Sequence, residues 1–251
     1  MVFNRRTRTI MHYLSECLLI KNENQYLREH ITTNARAGIE HFFIYDNNSD
    51  NSVKKFLSDY PELRKRCTIE IFPDTEHKQL DCYEHFLNSH RNDSVYCAFV
   101  DTDEMFDGNL LKEISNNGDV YEFRGLIHGC NNQAFYEDKS LKDRFFADKI
   151  YRWNYTKCIA KLDNLIKQYP HQSKCKKHDK IFVAPAFSQL HHYYYKSFEE
   201  FVWKIKRGTI QKNTVRWLNN FFQDNTLPDS EVKEVLDKYG IDLKFKTEKK
   251  K

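Results

Sequence analysis

Short apolar runs alternate with longer stretches of helical periodicity through the first hundred residues. Met11–Ile20 ends in Leu18-Leu19-Ile20 and stops at Lys21-Asn22-Glu23-Asn24, which predicts a buried strand running into a polar loop. Gln25–Ala37 places Tyr26, Leu27, His30, Ile31 and Ala35 at helical spacing, and Gly38 stands where a helix cap is wanted. His41–Tyr45 is a second short apolar run, closed by Asp46–Asp50. Val53–Tyr60 reads as a helix with Pro61 just beyond it, and Thr68–Phe72 as a third strand. His77–His90 is helical through Leu80, Tyr83, Phe86 and Leu87. Ser94–Val100 is a fourth apolar strand, and it ends at Asp101-Thr102-Asp103-Glu104. Strand and helix in strict alternation predict an α/β fold: a mostly parallel, Rossmann-like central sheet with helices on both faces. The crossovers should be right-handed.

Beyond residue 105 the pattern is weaker. Val120–Phe123 and Lys157–Leu162 read as strands, and Phe182–Tyr194 alternates. Ser197–Arg207 reads as a helix with Ser197 and Glu200 as a capping box. Val215–Phe222 and Ser230–Tyr239 follow as C-terminal helices, separated by the turn Leu227-Pro228-Asp229 and closed by Gly240. The expected organisation is a main domain over residues 1–208, a helical extension over 209–243 and a basic tail over 244–251.

In an open α/β sheet the carboxyl ends of parallel strands lie on one edge, and ligands bind there. Lys21–Asn24, Asp46–Asn51 and Asp101–Glu104 should therefore meet in space. Asp101 and Asp103 are two residues apart, so in extended backbone both carboxylates point the same way. Such a pair can hold a hard cation and the phosphates it carries, which suits Mg²⁺ or Mn²⁺. The plainer alternative is an acidic turn. Asp46 could accept hydrogen bonds from a base or ribose; an Asx turn closing the strand is the alternative. Lys21 could meet a phosphate and Glu23 could hold its loop, against a simple solvated turn. His128, His171, His191 and His192 each admit a ligand role or a structural one. His171 and His191 are the candidates for a late metal ligand, through a neutral ring nitrogen.

Charge narrows the function classes. The net charge is +4, with 40 basic and 36 acidic residues. Five lysines and one glutamate sit in Lys244–Lys251, and Arg5, Arg6 and Arg8 sit in the head, so the residues between carry a small acidic excess. A nucleic-acid binder gathers its charge on a folded face instead, so no nucleic-acid partner is expected. Lysines in the tail could favour peripheral contact with an anionic membrane. No stretch of about 20 apolar residues exists, so no membrane span is expected. The head lacks the small-residue cleavage pattern of a signal peptide. The seven cysteines form no CxxC pair, which favours reduced thiols and a cytoplasmic location.

Several blocks together resemble a known family. Leu18–His30 contains Leu-Leu-Ile-Lys-Asn-Glu-Asn, and Ala37–Asp50 contains Tyr45-Asp46-Asn47-Asn48-Ser49-Asp50. Gln79-Leu80-Asp81-Cys82-Tyr83 and Val100-Asp101-Thr102-Asp103-Glu104-Met105-Phe106 follow. Lys157-Cys158-Ile159-Ala160-Lys161, Tyr169-Pro170-His171-Gln172 and Leu190–Lys204 complete the set. In this order they resemble glycosyltransferase family 92 and the related family 2-like glycosyltransferases, over about residues 13–208. Met105 stands where those families usually carry Phe, and Phe123–Gly129 departs from their tryptophan-containing pattern.

The resemblance implies a GT-A fold over 1–208 and an inverting transfer of a sugar from a nucleotide-sugar donor, UDP-linked, to a hydroxyl of a glycan or glycolipid acceptor. Lys21, Asn22, Glu23, Asp46, Asn48, Ser49, Gln79 and Asp101 would bind the donor. Asp101, Asp103, His171 and His191 would hold Mn²⁺ or Mg²⁺. Asp103 would be catalytic, with a general base on the acceptor hydroxyl drawn from Glu137, Asp138 and Asp148. A metal-dependent phosphoesterase, or a nucleotide-sugar binder without turnover, are the competing functions. The first would need more ligand carboxylates for two metals, and fold alone does not separate the second from the enzyme.

Overall fold

The structure is a computed structural model that describes residues 11–73, 75, 78–114, 118–150, 156–176, 180–183, 186–207 and 214–241. The basic head at Arg5, Arg6 and Arg8, the helix start at His77 and the tail 244–251 lie outside the described residues. The described residues fall into two compact units. One is drawn from Met1–Leu126 and Arg152–His192, the other from Ile127–Tyr151 and Tyr193–Lys251.

The first unit is built on a sheet. Strands β1 (His12–Ile20), β2 (His41–Asp46), β3 (Cys67–Ile71) and β4 (Ser94–Phe99) run parallel in the order β3-β2-β1-β4. The order continues through β8 (Thr156–Lys161), β6 (Val120–His128), β12 (Ser188–His192) and β5 (Glu104–Gly108), with β11 (Lys180–Val183) pairing parallel to β6 off this path. β8 is antiparallel to both β4 and β6, and β12 is antiparallel to β5. The alternating first hundred residues thus form the parallel half, as their pattern predicts. The connecting helices are α1 (Asn24–Ala37), α2 (Val53–Phe56), α3 (Pro61–Arg64), α4 (Lys78–His90) and α5 (Leu110–Glu113).

Both faces of the parallel strands are covered, which is why their sequences are near-continuously apolar. Leu14, Leu18, Ile20, Phe42, Ile44 and Ala98 pack with Leu27 and Ile31 of α1. The alternate residues Cys17, Phe43, Tyr45, Cys97 and Phe99 pack with Cys82, Tyr83 and Phe86 of α4. Gly38 ends α1 at φ 121°, a conformation open to glycine without steric cost, and the next amide caps Asn34.

At the start of β2, His41 stacks on His12 with ring centroids 4.5 Å apart and shares a hydrogen bond with the Thr68 hydroxyl. Burial, with His12 and His90 adding to it and Asp93 opposing, pushes the imidazole down to about 4. The unfolded chain takes up this proton near pH 6.5. The unfolded state therefore gains protons first as pH falls, and stability should decline from about pH 6.5 to 4. His41→Gln should flatten that decline when urea midpoints at pH 7 and pH 5 are compared with the wild type.

The structure departs from the sequence pattern in four places. Val53–Tyr60 is not one helix: α2 gives way to a 3₁₀ turn at Leu57–Asp59. Pro61 begins α3 rather than following a helix end, since its missing N–H costs nothing at the first helical position. β5 follows directly on the Asp101–Asp103 turn, and its Gly108 sits at φ 82° with no room for a side chain against the Phe187 carbonyl. A hairpin of β9 (Leu165–Tyr169) and β10 (Gln172–Cys175) carries too few buried positions to show as alternation.

The second unit is mainly helical. The end of β6 pairs with β7 (Lys149–Ile150), and the unit's helices are α6 (Leu141–Phe145), α7 (Phe198–Arg207), α8 (Thr214–Asp224) and α9 (Asp229–Lys238). Phe198, Phe201, Val202, Leu218, Phe221 and Val235 form its core. The predicted capping box is present: the Glu200 amide donates to the Ser197 hydroxyl at 3.3 Å, and the Ser197 amide donates to Glu200 Oε2 at 3.1 Å. Glu200 also pairs with the buried Arg144 guanidinium through both oxygens.

Candidate functional site

The ends of β1, β2 and β4 come together on the carboxyl edge of the parallel strands. The loops after β1 and β2 are tied to each other. The Asn22 amide donates to the Ser49 hydroxyl at 2.9 Å, its side-chain amide donates to Asp50 at 3.0 Å, and the Asp50 amide donates to the Asn22 side chain at 2.8 Å. Asn22 and Asn48 each adopt φ 54°, a left-handed geometry that Asn tolerates better than most residues. Glu23 precedes the first turn of α1 without capping it through its side chain. Lys21 sits between the strand end and this turn.

Asp46 is buried, and each of its oxygens accepts a backbone hydrogen bond, from Ser49 at 2.9 Å and Val53 at 2.8 Å. It thereby closes the turn and shapes the start of α2, as the Asx-turn alternative requires. The buried Asn47, not singled out in the sequence, extends the stitching to β3 by donating to the Phe72 and Pro73 carbonyls, each at 3.1 Å.

At the end of β4 the acidic turn is organised around a lysine. Lys157 of β8 is 2% exposed in its side chain, and its ammonium lies 2.7 Å from Asp101 Oδ2 and 3.0 Å from Glu104 Oε2. The Gln79 amide donates to the other Asp101 oxygen at 2.9 Å and to the Tyr83 hydroxyl at 2.9 Å. Glu104 Oε2 accepts from the Asp101 amide at 2.8 Å. Partial desolvation favours the neutral form of Asp101, whose side chain is still 43% exposed, but Lys157 outweighs it and holds the carboxyl below the usual range. Glu104 goes the other way. Burial raises it to about 8, Lys157 opposes, and the negative Asp101 and Asp103 add to the rise. Two neighbouring carboxyls are thus pushed apart, which is the pattern of a functional site more than of a structural one.

Asp103 is buried beside His192, whose Nε2 lies 3.7 Å from Asp103 Oδ1 and whose Nδ1 lies 3.5 Å from Glu104 Oε1. His191 faces elsewhere, with Nε2 3.1 Å from Asp107. His171, in the β9–β10 turn, donates from Nδ1 to the Thr156 carbonyl at 3.1 Å. Burial lowers its ring pKa, the nearby Lys157 adds to that, and Asp101 opposes. Strand alternation makes neighbours of β12 face opposite ways, so one residue of register decides which of His191 and His192 meets the acidic turn. Lys157 and Glu104 are contributors that the sequence did not single out, and His192, one of the four histidines weighed, stands at the acidic turn where His171 or His191 was expected. The signal was the position of Lys157 in an otherwise apolar strand.

In the second unit, Glu137 is 44% exposed and pairs with Lys139 at 2.8 Å. That contact holds its carboxyl below the usual range. Asp138 accepts from the Tyr136 hydroxyl at 3.3 Å. Asp148 accepts from the Asn131 amide at 2.6 Å and lines a polar cleft of about 310 Å³ with Asn131, Asn132, Asp224, Asn225 and Thr226.

Among the described residues no three His, Cys, Asp or Glu side chains are placed to cage a metal ion. A divalent ion carried by a diphosphate needs no such cage: one or two protein ligands, phosphate oxygens and water complete its shell. Asp103 and His192, a hard oxygen and an imidazole nitrogen side by side, fit that shared kind of site.

A family profile for glycosyltransferase family 92 matches residues 12–227. A rice (Oryza sativa subsp. japonica) protein described as a glycosyltransferase family 92 protein is 29% identical over 133 residues, 50% of this chain and 23% of its own length. One from Ricinus communis, described in the same way, is 24% identical over 125 residues, 47% of this chain and 22% of its own length. The chain thus spans less than a quarter of these relatives. Among solved structures, S. aureus TarS 1–349 is similar at 15% identity and a TM-score of 0.47, over 75% of this chain and 62% of that one. No helix among the described residues is long and apolar enough to cross a membrane. With the profile running from the first strand into the helices of the second unit, the chain belongs to glycosyltransferase family 92.

Proposed function

We propose that this chain is a metal-dependent, inverting glycosyltransferase that moves a sugar from a UDP-linked donor to a hydroxyl of a glycan or glycolipid. The observation that carries the proposal is the set of polar strand ends at one sheet edge, with Asp101 and Asp103 at its acidic turn, in a chain of this family. The loops at Lys21–Glu23 and Asp46–Ser49 are assigned to the nucleoside, as the family resemblance implies. Asp46 serves there by fixing the turn that presents Asn48 and Ser49. Gln79 and Lys157 orient Asp101 and keep it ionised.

Asp103 and His192 would hold Mn²⁺ or Mg²⁺. When bound, the ion supplies Lewis-acid neutralisation of the departing diphosphate. Direct displacement also needs a base on the acceptor hydroxyl; Glu137, Asp138 and Asp148 stay the proposed sources. Stabilising charge on the leaving group should contribute more to the rate than any other single effect.

The experiment is donor hydrolysis. A panel of nucleotide sugars is incubated with the protein in Mn²⁺ or in EDTA, and free nucleoside diphosphate is measured. Release from one donor, present in Mn²⁺ and absent in EDTA, is the expected result. Equal release in EDTA would remove the metal from the proposal, and cleavage of a sugar-free phosphodiester instead would favour a phosphoesterase.

A further inference from the structure

A polar network lies beneath the Asp101–Asp103 turn and takes no part in the chemistry above. Glu16 is the one acidic residue within the apolar strand β1, and it is fully buried. It points to the same side of the strand as Leu14 and Leu18, towards α1. There it meets His30 and Asn34, four residues apart and so on one face of the helix. Both are fully buried as well. Glu16 Oε1 contacts His30 Nε2, and Glu16 Oε2 accepts from the Asn34 amide at 2.7 Å.

The far sides of these two residues reach the turn. His30 Nδ1 lies 3.0 Å from the Thr102 carbonyl. A carbonyl only accepts, so Nδ1 carries a hydrogen and donates it. Asn34 Oδ1 accepts from the Phe106 amide at 2.8 Å. Asp103, Glu104 and Met105 are therefore held between two backbone contacts, one at each end. The Thr102 hydroxyl has no partner among the described residues. His30 thus acts on this residue through its backbone.

Burying ionisable groups in an otherwise apolar layer is expensive, and apolar residues of similar size are commonly as stable or more so. Stability alone does not account for the arrangement. We propose that Glu16, His30 and Asn34 are positioning residues, which fix the backbone on both sides of Asp103 so that its carboxylate meets the donor diphosphate. This rests on the donor-site function proposed above. His30 donates from both ring nitrogens, Nδ1–H to the Thr102 carbonyl and Nε2–H to the Glu16 carboxylate, so the ring orientation is fixed from both sides.

The test separates position from stability. A single His30→Leu change would strand the Glu16 carboxylate, and loss of fold would explain any result. Glu16→Leu with His30→Leu and Asn34→Leu removes the whole network, strands none of its three side chains and keeps the layer apolar. Three quantities are measured on this triple variant and the wild type: melting temperature, hydrogen exchange at residues 102–106 without ligand, and UDP affinity in Mn²⁺ by calorimetry.

The expected result is a melting temperature equal to or above that of the wild type, faster exchange at 102–106, and UDP binding weakened at least about tenfold, the effect of losing roughly 1.4 kcal/mol of preorganisation. Unchanged exchange would overturn the clamp whatever UDP does. Faster exchange with unchanged UDP affinity would overturn its positioning role. No UDP binding by the wild-type protein would instead overturn the donor-site function, and the positioning role with it. A triple variant that melts well below the wild type would assign the network to stability and overturn the proposal.

Discussion

Asp103→Asn should lower kcat/KM by on the order of a thousandfold or more while leaving the fold intact. Removing a single group that stabilises transition-state charge costs about 10²–10³ in rate, and Asp103 is assigned both the metal and, through it, the leaving diphosphate. The stability half of the expectation comes from its neighbours. Asp103 shares the turn with Asp101 and Glu104, and its charge opposes the ionisation of both. Asparagine keeps the shape and relieves that repulsion. Its melting temperature should therefore match or exceed the wild-type value. Steady-state kinetics beside thermal melts read both halves at once. A variant that melts normally and keeps more than about a tenth of its activity, well short of the loss expected for such a group, would remove Asp103 from the catalytic centre.

Lys157→Met should be the most destabilising single change in the site. It deletes the buried ammonium that contacts Asp101 and donates to Glu104, whose side chain is 2% exposed and whose carboxyl, raised to about 8, is mostly protonated at pH 7. Leaving a buried acceptor without its donor costs about 1–3 kcal/mol. Asp101 contributes less to this loss, because its side chain is 43% exposed and water screens it. The second variant makes the mechanism visible: Lys157→Met with Glu104→Gln replaces the buried acid by an amide that needs no proton to stay neutral, and should recover part of the loss. Urea unfolding of the two variants measures it. A loss below about 1 kcal/mol in the single variant, the size of an exposed ion pair, or no recovery in the double one, would mean that Lys157 does not hold this turn.

The sequence carried the parallel half of the sheet because each strand there is buried on both faces and each helix has one apolar side. The apolar runs at Leu18–Ile20, Phe42–Tyr45 and Val95–Val100 had no other reading, and the polar clusters that ended them marked the ligand edge. What the pattern hid was polar and buried. Glu16 and Lys157 look like interruptions in apolar strands, and only the pairing across space explains them: Glu16 with a helix, Lys157 with a turn 56 residues earlier. The choice between His191 and His192 rested on the register of β12 against β5, where His192 lies opposite Glu104. Two adjacent histidines give no hint of that. Pro61 deceived for a local reason, since proline both follows helices and begins them.

If the strand-end loops and the acidic turn make one nucleotide site, UDP should depend on both the metal and Asp103. Calorimetric titration of UDP into the wild-type protein and into Asp103→Asn, each with Mn²⁺ and with EDTA, tests this most directly. Binding to the wild type in Mn²⁺ is expected, weakened at least about tenfold (roughly 1.4 kcal/mol) by EDTA or by the substitution, with no further loss when the two are combined. UDP binding that is equal in all four titrations, or absent from the wild type, would contradict a shared site.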